Sequence, residues 1–304
     1  MNRRNFLKNN VLAAGAFSIP AASSTLKDQS LPADRPFNLD YAPHDGMFTN
    51  SVGKDFIDQI KYMYDKGFRS IEDNGMASRS PEMQQKIGDT LAKLGMRMGV
   101  FVVPKGGNGA NTLASNKKEH IDIFLDGCRK TVEVAKRCHA KWVTVVPGDF
   151  DRRLPLDIQT ANVVDALRRG AEIVEPHGLI MVLEPLSDTP DLFLRTSAQT
   201  FLICKAVKSP SCKILYDVYH MQKNEGNIIN NIALCWDETA YFQMGDNPGR
   251  KEPTTGEINY KNIFKYIHSR GFSGILGMEH GISKPGKEGE DRLIQAYRES
   301  DAFL

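Results

Sequence analysis

The chain has 304 residues, 41% hydrophobic and 25% charged, with a formal net charge of +2. That describes a globular protein whose core suits one large α/β domain or two ordinary ones. A near-neutral balance with no dominant basic patch argues against nucleic acid as a partner.

Residues 1–23 read as an export leader rather than as fold. Arg3 and Arg4 precede Phe6, Leu7 and Lys8, an apolar run follows from Val11 to Ile19, and Pro20-Ala21-Ala22-Ser23 offers small residues for cleavage. The run is too short to span a membrane, and the paired arginines resemble a twin-arginine signal. The expectation is export to the periplasm, with no membrane contact in the mature form; a cytoplasmic protein with a basic tail is the alternative. Residues 24–36 read as a linker and 37–304 as the catalytic domain.

From Phe37 onward short apolar runs alternate with helical patterns. FNLDYA leads to a loop with His44, and Phe56, Ile60, Met63 and Tyr64 then recur at helical spacing. RSIEDN is a second strand ending near Glu72, and Pro81 opens a second helix, where proline is tolerated best. MGVFVVP, Met98 to Pro104, is almost continuously apolar, as a strand buried on both faces must be. Lys105 follows it. Ile121 to Ala135 marks a long helix, WVTVVPG a fourth strand, and Val164 to Val174 the next helix. IMVLEP, KILYDVY, TAYFQM and GILGMEH are strands five to eight, with helices around Phe201, Ile228 and Leu293. Helices close on glycine followed by an apolar residue at Gly67, Gly95, Gly178 and Gly271. Eight βα units predict a (β/α)8 TIM barrel. A doubly wound open sheet is the alternative, although no glycine-rich dinucleotide fingerprint follows the first strand.

Three of these strands end on an acidic residue: Glu184, Asp217 and Glu279. A fourth ends on Gln243, and one βα unit of about 30 residues separates each from the next. In such a barrel the active site lies at the C-terminal strand ends. Four oxygen-bearing side chains there suit a hard or borderline divalent ion, Mg²⁺ or Mn²⁺ first, Zn²⁺ or Co²⁺ as alternatives. His220, just past Asp217, could meet a substrate hydroxyl or the ion. His280 follows Glu279 directly and would face the other way in an extended chain. Arg250 and Glu252 sit on a long Gly/Pro-rich loop, where a guanidinium would suit a carboxylate or polyol oxygen. His44 and Glu72 fall at the same end of the barrel as candidate substrate contacts.

Cys128, Cys138, Cys204, Cys212 and Cys235 have no metal-type spacing, so buried free thiols are expected. A bridge between Cys204 and Cys212 is the alternative in an oxidising compartment.

LEPL at 183–186, DVYHMQ at 217–222 followed by EGNI, NPGRKEPTTGEINY at 247–260 and GMEHG at 277–281 resemble the hydroxypyruvate isomerase family of xylose-isomerase-like barrels. The match is motif by motif in the C-terminal half and by pattern alone before it. The resemblance implies that Glu184 and Glu279 are the catalytic carboxylates and that Glu184, Asp217, Gln243 and Glu279 hold the ion. His220, Arg250 and Glu252 would meet a small sugar or hydroxy-keto acid. Related ketose 3-epimerases commonly carry His as the third ligand, so Gln243 favours the isomerase branch. Members of the family are usually cytosolic, so an exported member implies a different small substrate. A homo-oligomer is compatible with this reading. The rivals are a ketose 3-epimerase or polyol dehydratase on the same barrel, a non-catalytic sugar-binding protein, and a metal-dependent endonuclease. The last would want many histidines, and the whole chain has seven.

Overall fold

The computed structural model describes residues 35–304, all within one compact unit. The leader, and the linker apart from Arg35 and Pro36, lie outside the described residues. Eight parallel strands alternate with helices: β1 (Tyr41–Ala42), β2 (Ser70–Ile71), β3 (Arg97–Met98), β4 (Trp142–Val145), β5 (Ile180–Leu183), β6 (Cys212–Asp217), β7 (Thr239–Gln243) and β8 (Leu276–Gly277). The main helices are α1 (Thr49–Val52), α2 (Phe56–Asp65), α3 (Pro81–Leu94), α4 (Lys118–Cys138), α5 (Leu156–Val174), α6 (Ser197–Val207), α7 (Val218–Asn224), α8 (Ile228–Cys235), α9 (Tyr260–Ser269) and α10 (Gly286–Asp301).

Continuous pairing runs β1-β8-β7-β6-β5-β4, with β2-β3 as a separate pair. Single parallel bridges, His44 to Glu72 and Val102 to Thr144, join the two sets and close the ring. This is the expected (β/α)8 barrel, with a partly curled sheet.

Local chemistry explains the element boundaries. Asp55 caps α2 by accepting from the Ile57 N–H, Ser80 caps α3 by accepting from Met83, and Pro81 takes the first helical position. Gly95 and Gly178 adopt left-handed φ of 66° and 68°, which ends their helices. The third strand is shorter than its apolar run suggests. Gly99 passes so close to Ile71 and to the Tyr241 hydroxyl that no side chain fits, and its N–H still donates to the Ile71 carbonyl at 2.7 Å. Beyond it Val100, Phe101 and Val103 stay buried and keep single backbone bonds to the neighbouring runs: the Asp73 N–H donates to the Val100 carbonyl at 3.3 Å, the Thr144 N–H to the Phe101 carbonyl at 2.8 Å and the Val103 N–H to the Thr144 carbonyl at 3.0 Å. The short α7 was not legible as a helix; Asp217 starts it by accepting from the His220 N–H at 3.1 Å.

Period-two alternation sorts the strand residues of the core into two main clusters. Met181, Leu183, Ile214, Tyr216 and Phe242 pack outward against the helices. Ala42, Val100, Trp142, Val182, Leu215, Tyr241 and Ile275, all from strand runs, fill the barrel interior. All five cysteines are buried free thiols.

Candidate active site

The interior parity carries straight into the site. Glu184 stands two residues beyond Val182, Asp217 beyond Leu215, Gln243 beyond Tyr241 and His44 beyond Ala42. Glu279 is four beyond Ile275. Each is therefore delivered to the mouth on the inward-facing side of its run. β6 pairs Asp217 with Gln243, and β7 pairs Gln243 with Gly277. In-register residues of neighbouring strands project to one face, so Asp217 and Gln243 stand side by side. His280, of opposite parity, turns to the Tyr297 hydroxyl at 2.8 Å, and burial pushes its pKa down to about 4.

Ligand atoms of Glu184, Asp217, His220 and Glu279 all lie within 4.8 Å of one another. Burial, with Glu279 and Asp217 pressing on it, pushes the Glu184 carboxyl well above the usual range. Burial also pushes Glu279 up to about 8, against the pull of Arg250. Glu279 is held from two sides: Asn74 Nδ2 donates to Oε1 at 2.9 Å and Arg250 Nη2 to Oε2 at 2.9 Å. The same guanidinium lies 3.5 Å from Asp217 Oδ2 and packs over the Tyr219 ring.

Two buried acceptors here, Asp217 Oδ2 and Oε1 of its in-register neighbour Gln243, have no hydrogen-bond partner among the described residues. Unpartnered buried oxygens are costly unless something else satisfies them. Clustered carboxylates beside such oxygens fit a hard divalent ion. Glu184, Asp217, Gln243 and Glu279 are the residues that could hold it. His220 suits a different task. Its Nδ1 accepts from the Ser187 backbone N–H at 3.1 Å, which leaves the proton of a neutral ring on Nε2, 3.8 Å from Asp217 Oδ2. Burial pushes its pKa down, so the neutral donor form is favoured.

Arg250 owes its place to the folding of its own loop. The buried Asp246 carboxylate accepts backbone N–H groups from Asn247 at 2.9 Å, Thr255 at 3.1 Å, Gly256 at 2.8 Å and Ile258 at 3.1 Å. Around that anchor Arg250 takes a left-handed φ of 48°.

Two expected substrate contacts are placed otherwise. Glu252 is fully buried, and both its oxygens accept from Ser283, one from the backbone N–H at 2.9 Å and one from the hydroxyl. It ties the Arg250 loop to the segment after β8. Glu72 is also fully buried and bonds to Tyr241 and Gln243, with His44 Nε2 2.8 Å away. Burial opposes charge on His44, yet the Glu72 carboxylate outweighs it and raises the histidine's pKa. Lys105 closes its own loop, donating to the Ala110 carbonyl at 2.6 Å, and burial lowers its pKa to about 8. Asn74, Ser187 and Tyr219 were missed by sequence reasoning. Asn74 was discoverable: it ends the RSIEDN run two residues beyond Glu72.

A hydroxypyruvate isomerase of Escherichia coli K12 is 31% identical over 159 residues, 52% of this chain and 62% of that protein. The chain thus aligns with less than two thirds of that relative's length. A 2-oxo-tetronate isomerase of Pectobacterium atrosepticum is 26% identical over 78% of this chain and 90% of its own. Among solved structures, a D-psicose 3-epimerase from Clostridium cellulolyticum H10 superposes with a TM-score of 0.72 at 16% identity, covering 88% of this chain and 99% of that one. That likeness is one of fold. The ligand cluster and the isomerase relatives together support a metal-dependent, sugar-isomerising enzyme. The family model described as xylose isomerase-like TIM barrel matches residues 60–300, and the chain belongs to that family.

Proposed function

We propose that the protein is a metal-dependent isomerase of the hydroxypyruvate isomerase type, acting on a small sugar or hydroxy-keto acid. The observation that carries this is the pairing of two glutamates of raised proton affinity with the unpartnered oxygens of Asp217 and Gln243. A divalent ion held there would act as a Lewis acid for the oxygens of an α-hydroxy carbonyl group.

The chain supplies the proton chemistry. A carboxylate whose proton affinity is raised toward neutrality is a competent general base for a C–H beside a carbonyl. Among the described residues Glu184 takes no donor comparable to those on Glu279, so it is the freer of the two to accept the proton. Glu279, oriented by Asn74 and Arg250, is placed to handle its return from another strand of the ring. His220 Nε2–H offers a donor to a substrate oxygen, and Arg250 offers positive charge to a carboxylate or polyol.

An epimerase is the second reading, supported by the same two-carboxylate arrangement just beyond β5 and β8. Proton removal is then shared, and only the site of return differs. Protein loaded with Mn²⁺ and offered ketoses, aldoses and hydroxy-keto acids in deuterated water separates them by NMR. Deuterium at the neighbouring carbon marks isomerisation; deuterium at the same carbon with inverted configuration marks epimerisation. Absence of exchange across the panel would remove both readings.

A further inference from the structure

Gln243 differs from the three carboxylates in having two unlike ends. Its Oε1 can bind a cation and its Nε2 cannot, and the two are nearly equal in shape. Something must decide which end is left free beside Asp217, its in-register neighbour on β6. The Nε2 donates to Glu72 Oε1 at 2.6 Å, which leaves Oε1 as the buried, unpartnered atom. Glu72 is itself fixed: it is fully shielded from solvent, and the Tyr241 hydroxyl donates to its Oε2 at 2.7 Å. A second, independent feature accommodates it. Gly277, paired in register with Gln243, has no side chain, and an ideal Cβ there would stand 1.7 Å from Glu72 Oε2. β8 thus leaves a slot that the Glu72 carboxylate fills.

We propose that Glu72 is a positioning residue: from its slot over Gly277 it holds the Gln243 amide with its oxygen toward Asp217, and so completes the cation site. This inference rests on the metal-site reading above. A carboxylate offers acceptors to the amide, so the NH₂ end is drawn to Glu72 and the flipped amide would set oxygen against oxygen. Without Glu72 both amide orientations become accessible, and one of them turns a donor toward the ion.

The test is Mn²⁺ affinity, read by electron paramagnetic resonance or calorimetry without substrate. Supporting groups behind a metal ligand are worth about 10–100-fold in affinity. Glu72→Met, similar in length and without an acceptor, should lose that much, and Gln243→Ala a similar amount. The double variant should lose no more than Gln243→Ala alone, because Glu72 acts through Gln243. A merely structural role predicts additive losses instead. Glu72→Asp covers the case in which Glu72→Met fails to fold. It keeps the charge but withdraws the acceptor, and should show the same loss; Mn²⁺ affinity at the parent value in Glu72→Asp would overturn positioning. Parent affinity in folded Glu72→Met, with Gln243→Ala impaired, would overturn the inference and leave the metal site standing. Failure of the parent protein itself to bind Mn²⁺ would instead overturn the reading on which the inference rests.

Discussion

Replacing Gly277 by alanine puts the packing of the barrel mouth to a direct test. The added Cβ would meet Glu72 Oε2 at 1.7 Å, Glu72 Cδ at 2.7 Å and Gln243 Cγ at 3.1 Å. Gly277 has no left-handed φ, so alanine brings no backbone penalty and the whole effect comes from the clash. To regain ordinary contact the carboxylate must retreat by about 1.5 Å. Its bonds to Gln243 and Tyr241, 2.6 and 2.7 Å long, then pass beyond hydrogen-bond range. A hydrogen bond to a charged group contributes about 1.5–3 kcal/mol, so losing two costs about 3–6 kcal/mol. Domains of this size have only about 5–15 kcal/mol in all. At about 2–4 °C per kcal/mol, the melting temperature should fall by about 10 °C. Circular dichroism melts with a Mn²⁺ titration provide the assay, and the affinity should drop by about 10–100-fold as Gln243 loses its anchor. Gly107→Ala is the control, since nothing lies within 4 Å of a Cβ there. A Gly277→Ala protein that melts and binds Mn²⁺ like the parent would refute the account of Glu72.

Glu184→Gln and Glu279→Gln should lose about 10²–10⁴-fold in α-hydrogen exchange even at full metal content, because the amide removes proton transfer. Asp217→Asn should instead recover part of its activity in excess Mn²⁺; parent-rate exchange in fully metallated Glu184→Gln would make that residue a ligand only. The raised carboxyls also set a pH trend for chelated protein. The folded form holds these protons more tightly than the unfolded chain, so its stability falls as pH climbs from about 4.3 toward the Glu279 value of about 8. Stabilisation by added Mn²⁺ should grow over the same interval, and a calorimetric series from pH 5 to 8 showing the reverse would count against it. For the leader, replacing Arg3 and Arg4 by lysine should leave the precursor in the cytoplasm on cell fractionation; unchanged export would exclude the twin-arginine reading.

Much of the barrel was legible in the chain because it is written in local terms. Apolar alternation, glycine helix ends and the Pro81 start depend on residues a few positions apart. The acidic strand ends were legible too, since strand parity carries Glu184, Asp217 and Gln243 inward once Val182, Leu215 and Tyr241 face the interior. What sequence could not assign was the job of each carboxylate. Glu72 and Glu252 carry the same side chain as Glu184, yet one is spent on Gln243 and Tyr241 and the other on Ser283. The place of Asn74 at a strand end was legible, but its partner Glu279, 205 residues along the chain, was not. A carboxylate is free for chemistry only if no protein donor has claimed its oxygens, and those donors arrive from distant strands and loops. Sequence alone set where the oxygens stand along the chain; closure of the barrel decided which of them remained unpartnered.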